Sequence, residues 1–322
     1  MAVEPLTWAR VFTTWVFAPL SVTVILVAAA AYLMGVRRVR RVGEWPIGRT
    51  MWFLGGLAVW AICVCSFIGA YERVLFTARA AQVALELTVV PLFLALGAPV
   101  TLLVEALPPR RGERLRTALR GRVSRALMFP AVSTVMLIAP PWLLYFTPWY
   151  ESTLRSGVLN TLLPVTLVAF GLLYFWPRLQ LDPVGREYPH LVSMFITFAE
   201  VIFDGALGII LMFGHRLIAE SYYAGLHRAW GPSLRQDQIW GGGALWVLGD
   251  IAGLPFLAAL GVRMFRQDRR EQAEIDRRLD AELAAQHAAR PAGEPDPGPE
   301  MMRPWWETDP ILSKRYGRGP RG

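Results

Sequence analysis

Residues 80–106 read AAQVALELTVVPLFLALGAPVTLLVEA, and residues 107–125 continue as LPPRRGERLRTALRGRVSR. The first segment is apolar apart from Gln82, Glu86, Glu105 and a few threonines. At about 1.5 Å of helix per residue it is long enough to cross a hydrocarbon layer roughly 30 Å thick, with tilt to spare. The second segment sets Arg110, Arg111, Arg114, Arg116, Arg120, Arg122 and Arg125 directly behind it. An apolar helix that ends on a run of guanidinium groups reads as a membrane span with its arginine-rich connector held on the cytoplasmic side. This pair of segments sets the fold class.

On either side of this pair, six more stretches have the same character: 11–34, 51–71, 126–148, 157–177, 190–214 and 239–263. Arginine-rich and arginine-poor connectors alternate between them. Arg37, Arg38, Arg40, Arg41 and Arg49 follow the first span, and Arg263, Arg266, Arg269 and Arg270 follow the last. The intervening connectors hold only Arg73 and Arg79, then Arg155, then Arg216, Arg228 and Arg235. The expectation is an all-α polytopic membrane bundle of about seven transmembrane helices, with the N-terminus outside and the C-terminus cytoplasmic. Arg10 precedes a first run too long for the apolar part of a cleaved signal, so that helix is expected to be retained. Residues 1–263 form the transmembrane domain, 264–290 a charged cytoplasmic helical extension, and 291–322 a disordered Pro/Gly-rich tail carrying Trp305 and Trp306.

Composition agrees. The 322 residues are 54% hydrophobic and 18% charged, against about 25% charged in soluble domains. The net charge of +8 sits in clusters flanking apolar runs, which suits anionic lipids and argues against nucleic acid. Cys63 and Cys65 lie inside a span, provide no disulfide framework, and diverge on a helix too far to chelate a soft metal well.

No phosphate loop, dinucleotide fingerprint or His-Glu-x-x-His appears, so no enzyme chemistry is expected. What remains is polar groups at membrane depth: Glu86, Glu200, Asp204 and Asp250. Such groups face the bundle interior or a wet cavity. Glu200 and Asp204 share one helix face and resist ionising together. They read either as a proton relay or cation site, or as a hydrogen-bonded pair holding helices together. Met212, His215 and His227 form a loose set of weak candidates for copper, without the spacing of a recognised ligand group. Pro91, Pro99 and Pro164 are expected to kink their spans.

The stretch 237–250, DQIWGGGALWVLGD, is the most distinctive. Asp237 and Gln238 stand at the entrance of the last span, where they can cap exposed amides, and Gly241, Gly242 and Gly243 permit close helix approach. This stretch resembles the final-helix signature of the CtaG-type cytochrome c oxidase assembly factors, through Asp237, Gln238, Gly241, Gly242, Trp246, Gly249 and Asp250. VVPLFLALGAPVTLL resembles that family's third-helix ending through Pro91, Gly97, Ala98 and Pro99. GLLYFWPRLQLDP resembles the end of its fifth helix through Gly171, Trp176, Pro177, Asp182 and Pro183. The resemblance implies a non-enzymatic plasma-membrane protein of the respiratory chain whose partners are cytochrome c oxidase subunits, with copper as the implied metal. Members carry histidine pairs four apart on the third and fifth helices. Register on the shared landmarks puts those pairs at Arg79 and Val83, and at Asn160 and Pro164, so the ligand histidines are expected to be missing. An ion pair between Arg79 and Glu86 is expected in their place. The competing reading is a proton- or metal-coupled transporter built on the intramembrane carboxylates, and a membrane-embedded enzyme is the weakest of the three.

Overall fold

A computed structural model describes residues 4–119, 121, 129–179, 202–203 and 205–288. Among them every regular element is helical. Four helical runs are long and apolar enough to cross a membrane: Pro19–Val39, Ile47–Tyr71, Phe76–Ala106 and Gly157–Pro177. A fifth arises if Ala131–Phe146 and Trp149–Arg155, bent by 70°, make one broken span. The expected span 190–214 lies mostly outside the described residues. The expected span 239–263 falls within a helix running Leu234–Ala288. The protein is therefore helical with four to five candidate membrane spans among the described residues.

The first span starts later than the expected 11–34. Trp8–Thr13 is a short helix that buries none of its residues, and the chain is not helical again until Pro19. Proline suits the first helical position because its missing N–H would be unpaired there, and it drives the residue before it out of the helical region. Ala18 accordingly sits at φ −104°, ψ 89°. The intervening segment is tied down by Val16, whose amide donates to the Cys65 carbonyl at 2.7 Å.

The third run explains how the bundle forms its site. It passes from Phe76–Ala84 through a π-helical turn at Leu85–Val89 into Val90–Leu96, then resumes as Pro99–Ala106. Pro91 has no amide hydrogen, so the Leu87 carbonyl four residues earlier loses its helical donor, and the helix widens there. Gly171 of the fifth-span helix, Gly157–Leu179, faces this turn. A Cβ on it would lie 2.3 Å from both the Leu87 oxygen and Pro91 Cγ. The second break is at Ala98, in the left-handed region at φ 47°. The neighbouring Gly97 carbonyl accepts from the Tyr32 hydroxyl at 2.7 Å, and Tyr32 stacks on Phe53 with ring centroids 3.9 Å apart.

Two apolar clusters pack around this run. One joins it to the first two spans through Tyr32, Phe53, Trp60, Val90 and Leu94. The other joins it to the fourth and fifth through Val83, Leu87, Leu144, Leu154 and Leu167.

The chain divides into two compact units, Met1–Val262 and Arg263–Gly322. Both apolar clusters belong to the first. In the second, residues 272–280 are exposed helix, with Arg278 donating to Glu274 at 2.9 Å. The tail 291–322, including Trp305 and Trp306, lies outside the described residues.

Candidate functional site

Arg79, on the third-span helix Phe76–Ala84, is 0% exposed. A guanidinium so placed must be matched by charge and by acceptors. Its Nη1 lies 3.2 Å from Glu72 Oε2 and donates to Gln82 Oε1 at 3.2 Å. Its Nη2 donates to Thr153 Oγ1 at 3.3 Å and to Asn160 Oδ1. The Asn160 amide nitrogen donates in turn to Glu72 Oε1. Glu72, Arg79 and Asn160 thus close a ring of charge-assisted hydrogen bonds. Thr153 is set by its own bond to the Tyr150 carbonyl at 2.7 Å. Beside it, the Tyr150 and Tyr223 hydroxyls meet at 2.8 Å, and burial pushes the Tyr223 phenol above its ordinary value.

The expected pairing of Arg79 with Glu86 is not what forms. Helical side chains lean toward the N-terminus of their helix, so Arg79 reaches back to Glu72 and away from Glu86. Glu86 sits in the π-helical turn, 1% exposed. Neither of its oxygens has a hydrogen-bond partner among the described residues.

Asp237 caps exposed amides, but those of another helix. It does not cap its own helix. Ser233 does that, its hydroxyl accepting from the Gln236 amide at 3.3 Å. Asp237 instead caps the start of the third-span helix, accepting from the Phe76 and Thr77 amides, each at 3.0 Å. It also accepts from the Thr77 hydroxyl at 2.7 Å and lies 3.5 Å from Arg228 Nη1. Carboxylates are favoured at helix N-termini, where unpaired N–H groups and the helix dipole both attract negative charge. Gln238 fastens the segment before it, donating to the Leu211 and Arg216 carbonyls at 2.9 and 3.1 Å and accepting from the Ile218 amide at 2.8 Å.

The glycines next in the chain set helix spacing. A Cβ on Gly241 would come within 2.4 Å of Phe76 Cδ1, and one on Gly242 within 2.9 Å of Met212 Cγ. Trp246 closes over Gly208, where a Cβ would meet its own Cβ at 2.9 Å. Gly243 faces open space, and Asp250 is half-buried on the same helix. Gly241→Leu is expected to destabilise the fold by about 1–3 kcal/mol through overpacking. Gly243→Leu is expected to change the detergent melting temperature far less, and equal losses would contradict this packing.

Residues 30–267 match the family described as cytochrome c oxidase caa3 assembly factor. The chain belongs to this family. Three curated relatives are uncharacterized proteins of Mycobacterium bovis, Mycobacterium tuberculosis and Mycobacterium leprae, 31%, 31% and 28% identical over 289 residues. The alignment covers 87% of this chain and 44% of each relative, so the chain spans less than half the length of the curated relatives it matches. No solved structure matches it.

The donor set at the four registered positions does not suit copper. Arg79 is a fixed cation, Val83 and Pro164 are buried without donor atoms, and both ends of the Asn160 carboxamide are already committed. Among the described residues no three His, Cys, Asp or Glu side chains group to hold a metal. His215 and His227 are exposed, while the Met212 side chain packs on Gly242 instead of turning out to a shared site. Glu200 and Asp204 lie outside the described residues.

Sequence reasoning missed Glu72, Gln82, Thr153 and Arg228. Glu72 carried a usable signal, as a carboxylate at the edge of a span and seven residues before a buried arginine. Thr153 and Arg228 carried none, because only the tertiary fold brings them in.

Proposed function

We propose that this protein is a membrane-embedded assembly or accessory factor for haem–copper cytochrome c oxidase, acting through contacts and not through catalysis. The family match supports the assembly role. The observation that carries the finer reading is the hydrogen bond from Arg79 to Asn160. These are the leading residues of the two positions where the resemblance puts histidine pairs, and here they are bound to one another and to Glu72. An arginine–carboxylate–amide ring fills the place of a ligand cluster, so the protein holds the two helices together there without copper. The reading includes seven spans with the site at the outer face of the plasma membrane, supported by the alternation of arginine-rich connectors. Arg110, Arg111, Arg114 and Arg116, on the helix Pro109–Leu119, then face anionic lipid headgroups on the cytoplasmic side. Asp237, Gln238, Gly241, Gly242 and Trp246 serve as the framework that presents this site to oxidase subunits.

A deletion strain scored for oxidase haem spectra, grown with and without added copper, tests the role. The expected result is a reduced oxidase signal that added copper does not restore. Normal spectra in both media would refute the assembly reading. Stoichiometric copper in the detergent-purified protein would refute the loss of ligands.

A further inference from the structure

Arg79 stands midway between two carboxylates, Glu72 seven residues before it and Glu86 seven residues after. One arginine carries one charge, and the structure shows which carboxylate has it. Glu72 is held at 3.2 Å, and the remaining guanidinium contacts go to Gln82, Thr153 and Asn160. Glu86 is left two turns deeper. The groups facing it are Glu72 and Arg79, neither of them bonded to it, Gln82, whose Oε1 accepts from Arg79, and Cys63 of the second-span helix Ile47–Cys65. The fifth-span helix packs on the same turn with Asn160 at its exposed end, already shared between Glu72 and Arg79. Glu200 and Asp204, the other acids expected at this depth, lie outside the described residues. A carboxylate with no donor on either oxygen is far more costly to bury than a carboxylic acid. A π-helical turn, such as the one that carries Glu86, is a frequent mark of a functional position.

We propose that Glu86 is a proton-binding site inside the membrane, held as the neutral acid for as long as Glu72 keeps Arg79. The two carboxylates compete for one counter-ion. Glu72, 9% exposed, is the less deeply buried of the two, while Glu86 is 1% exposed. Drawing Glu72 away from Arg79 offers the guanidinium to Glu86. The Glu86 O–H bond then breaks, its proton passes to water that enters as Glu72 withdraws, and the new carboxylate becomes the arginine's partner. Contact at the exposed end is thereby converted into release of one proton from the membrane interior. This does not depend on the assembly role, because the readout is the protonation of one side chain.

Infrared spectroscopy of the full-length purified protein reports it directly through the carbonyl band of a protonated carboxyl group. The wild type is expected to show such a band, and Glu86→Gln to lack it. In Glu72→Gln the Glu86 band should fall about tenfold or more, as an adjacent free guanidinium draws off the proton. In Arg79→Gln it should persist, read as the difference from the Arg79→Gln/Glu86→Gln double variant because the stranded Glu72 also takes up a proton, which separates the effect from simple disruption of the fold. No difference between wild type and Glu86→Gln would overturn the proposal. So would a Glu86 band undiminished in Glu72→Gln, or one lost in Arg79→Gln.

Discussion

Replacing Asp237 with alanine is expected to cost about 3–5 kcal/mol of stability, the range for leaving a buried charge without its partner. Two groups lose their acceptor together, the Phe76 and Thr77 amides, while the Thr77 hydroxyl keeps its bond to the backbone carbonyl of residue 237 at 2.9 Å. The capping bonds alone are worth about 1–2 kcal/mol. The larger share comes from Arg228, whose side chain is 7% exposed and loses its carboxylate. Asp237→Asn is intermediate, since it keeps an acceptor oxygen for only one of the two amides, which bind different oxygens of the aspartate, and no charge for Arg228. Thermal unfolding in detergent should rank wild type above the asparagine variant and that above alanine. An alanine variant that melts with the wild type would show that the cap does not support the third-span helix.

Arg79→Leu is the second large effect, again about 3–5 kcal/mol, because it strands a buried carboxylate at Glu72. Asn160 and Thr153 lose their arginine contacts at the same time. The informative comparison is Arg79→Leu with Glu72→Leu. Removing both charges takes away the desolvation penalty along with the attraction, so the double variant should melt well above Arg79→Leu alone. In a double-mutant cycle the two sites should couple by about 0.5–3 kcal/mol, whereas additive losses would mean that the pair is not a unit.

The helical, membrane-crossing character is legible in residues 80–125 alone, because apolar length and arginine placement are local properties of the chain. The breaks are less so. Pro91 and Pro99 signal kinks, yet the π-helical turn depends on Gly171 from another helix making room for the bulge. Hydropathy starts the first span too early because residues 11–18 are as apolar as residues 19–34. Only the proline at 19 and the tie from Val16 to Cys65 set the true start. At the site, register on shared landmarks names Arg79 and Asn160, and the fold brings those two into contact. Spacing alone misassigns the partner of Arg79, since a separation of seven fits Glu72 and Glu86 equally well. The N-terminal lean of helical side chains breaks that tie. Asp237 is legible as a cap, but its target is a helix 160 residues earlier, and no periodicity in the chain encodes that distance.

That distance has a consequence for biosynthesis. The head of the third-span helix leaves the ribosome long before the acceptor that completes it. Until Asp237 is translated and inserted, the Phe76 and Thr77 amides must be satisfied by water or headgroups at the membrane edge. The third helix therefore enters the bilayer with a provisional end, and the arrival of the last apolar segment locks the first half of the molecule into register.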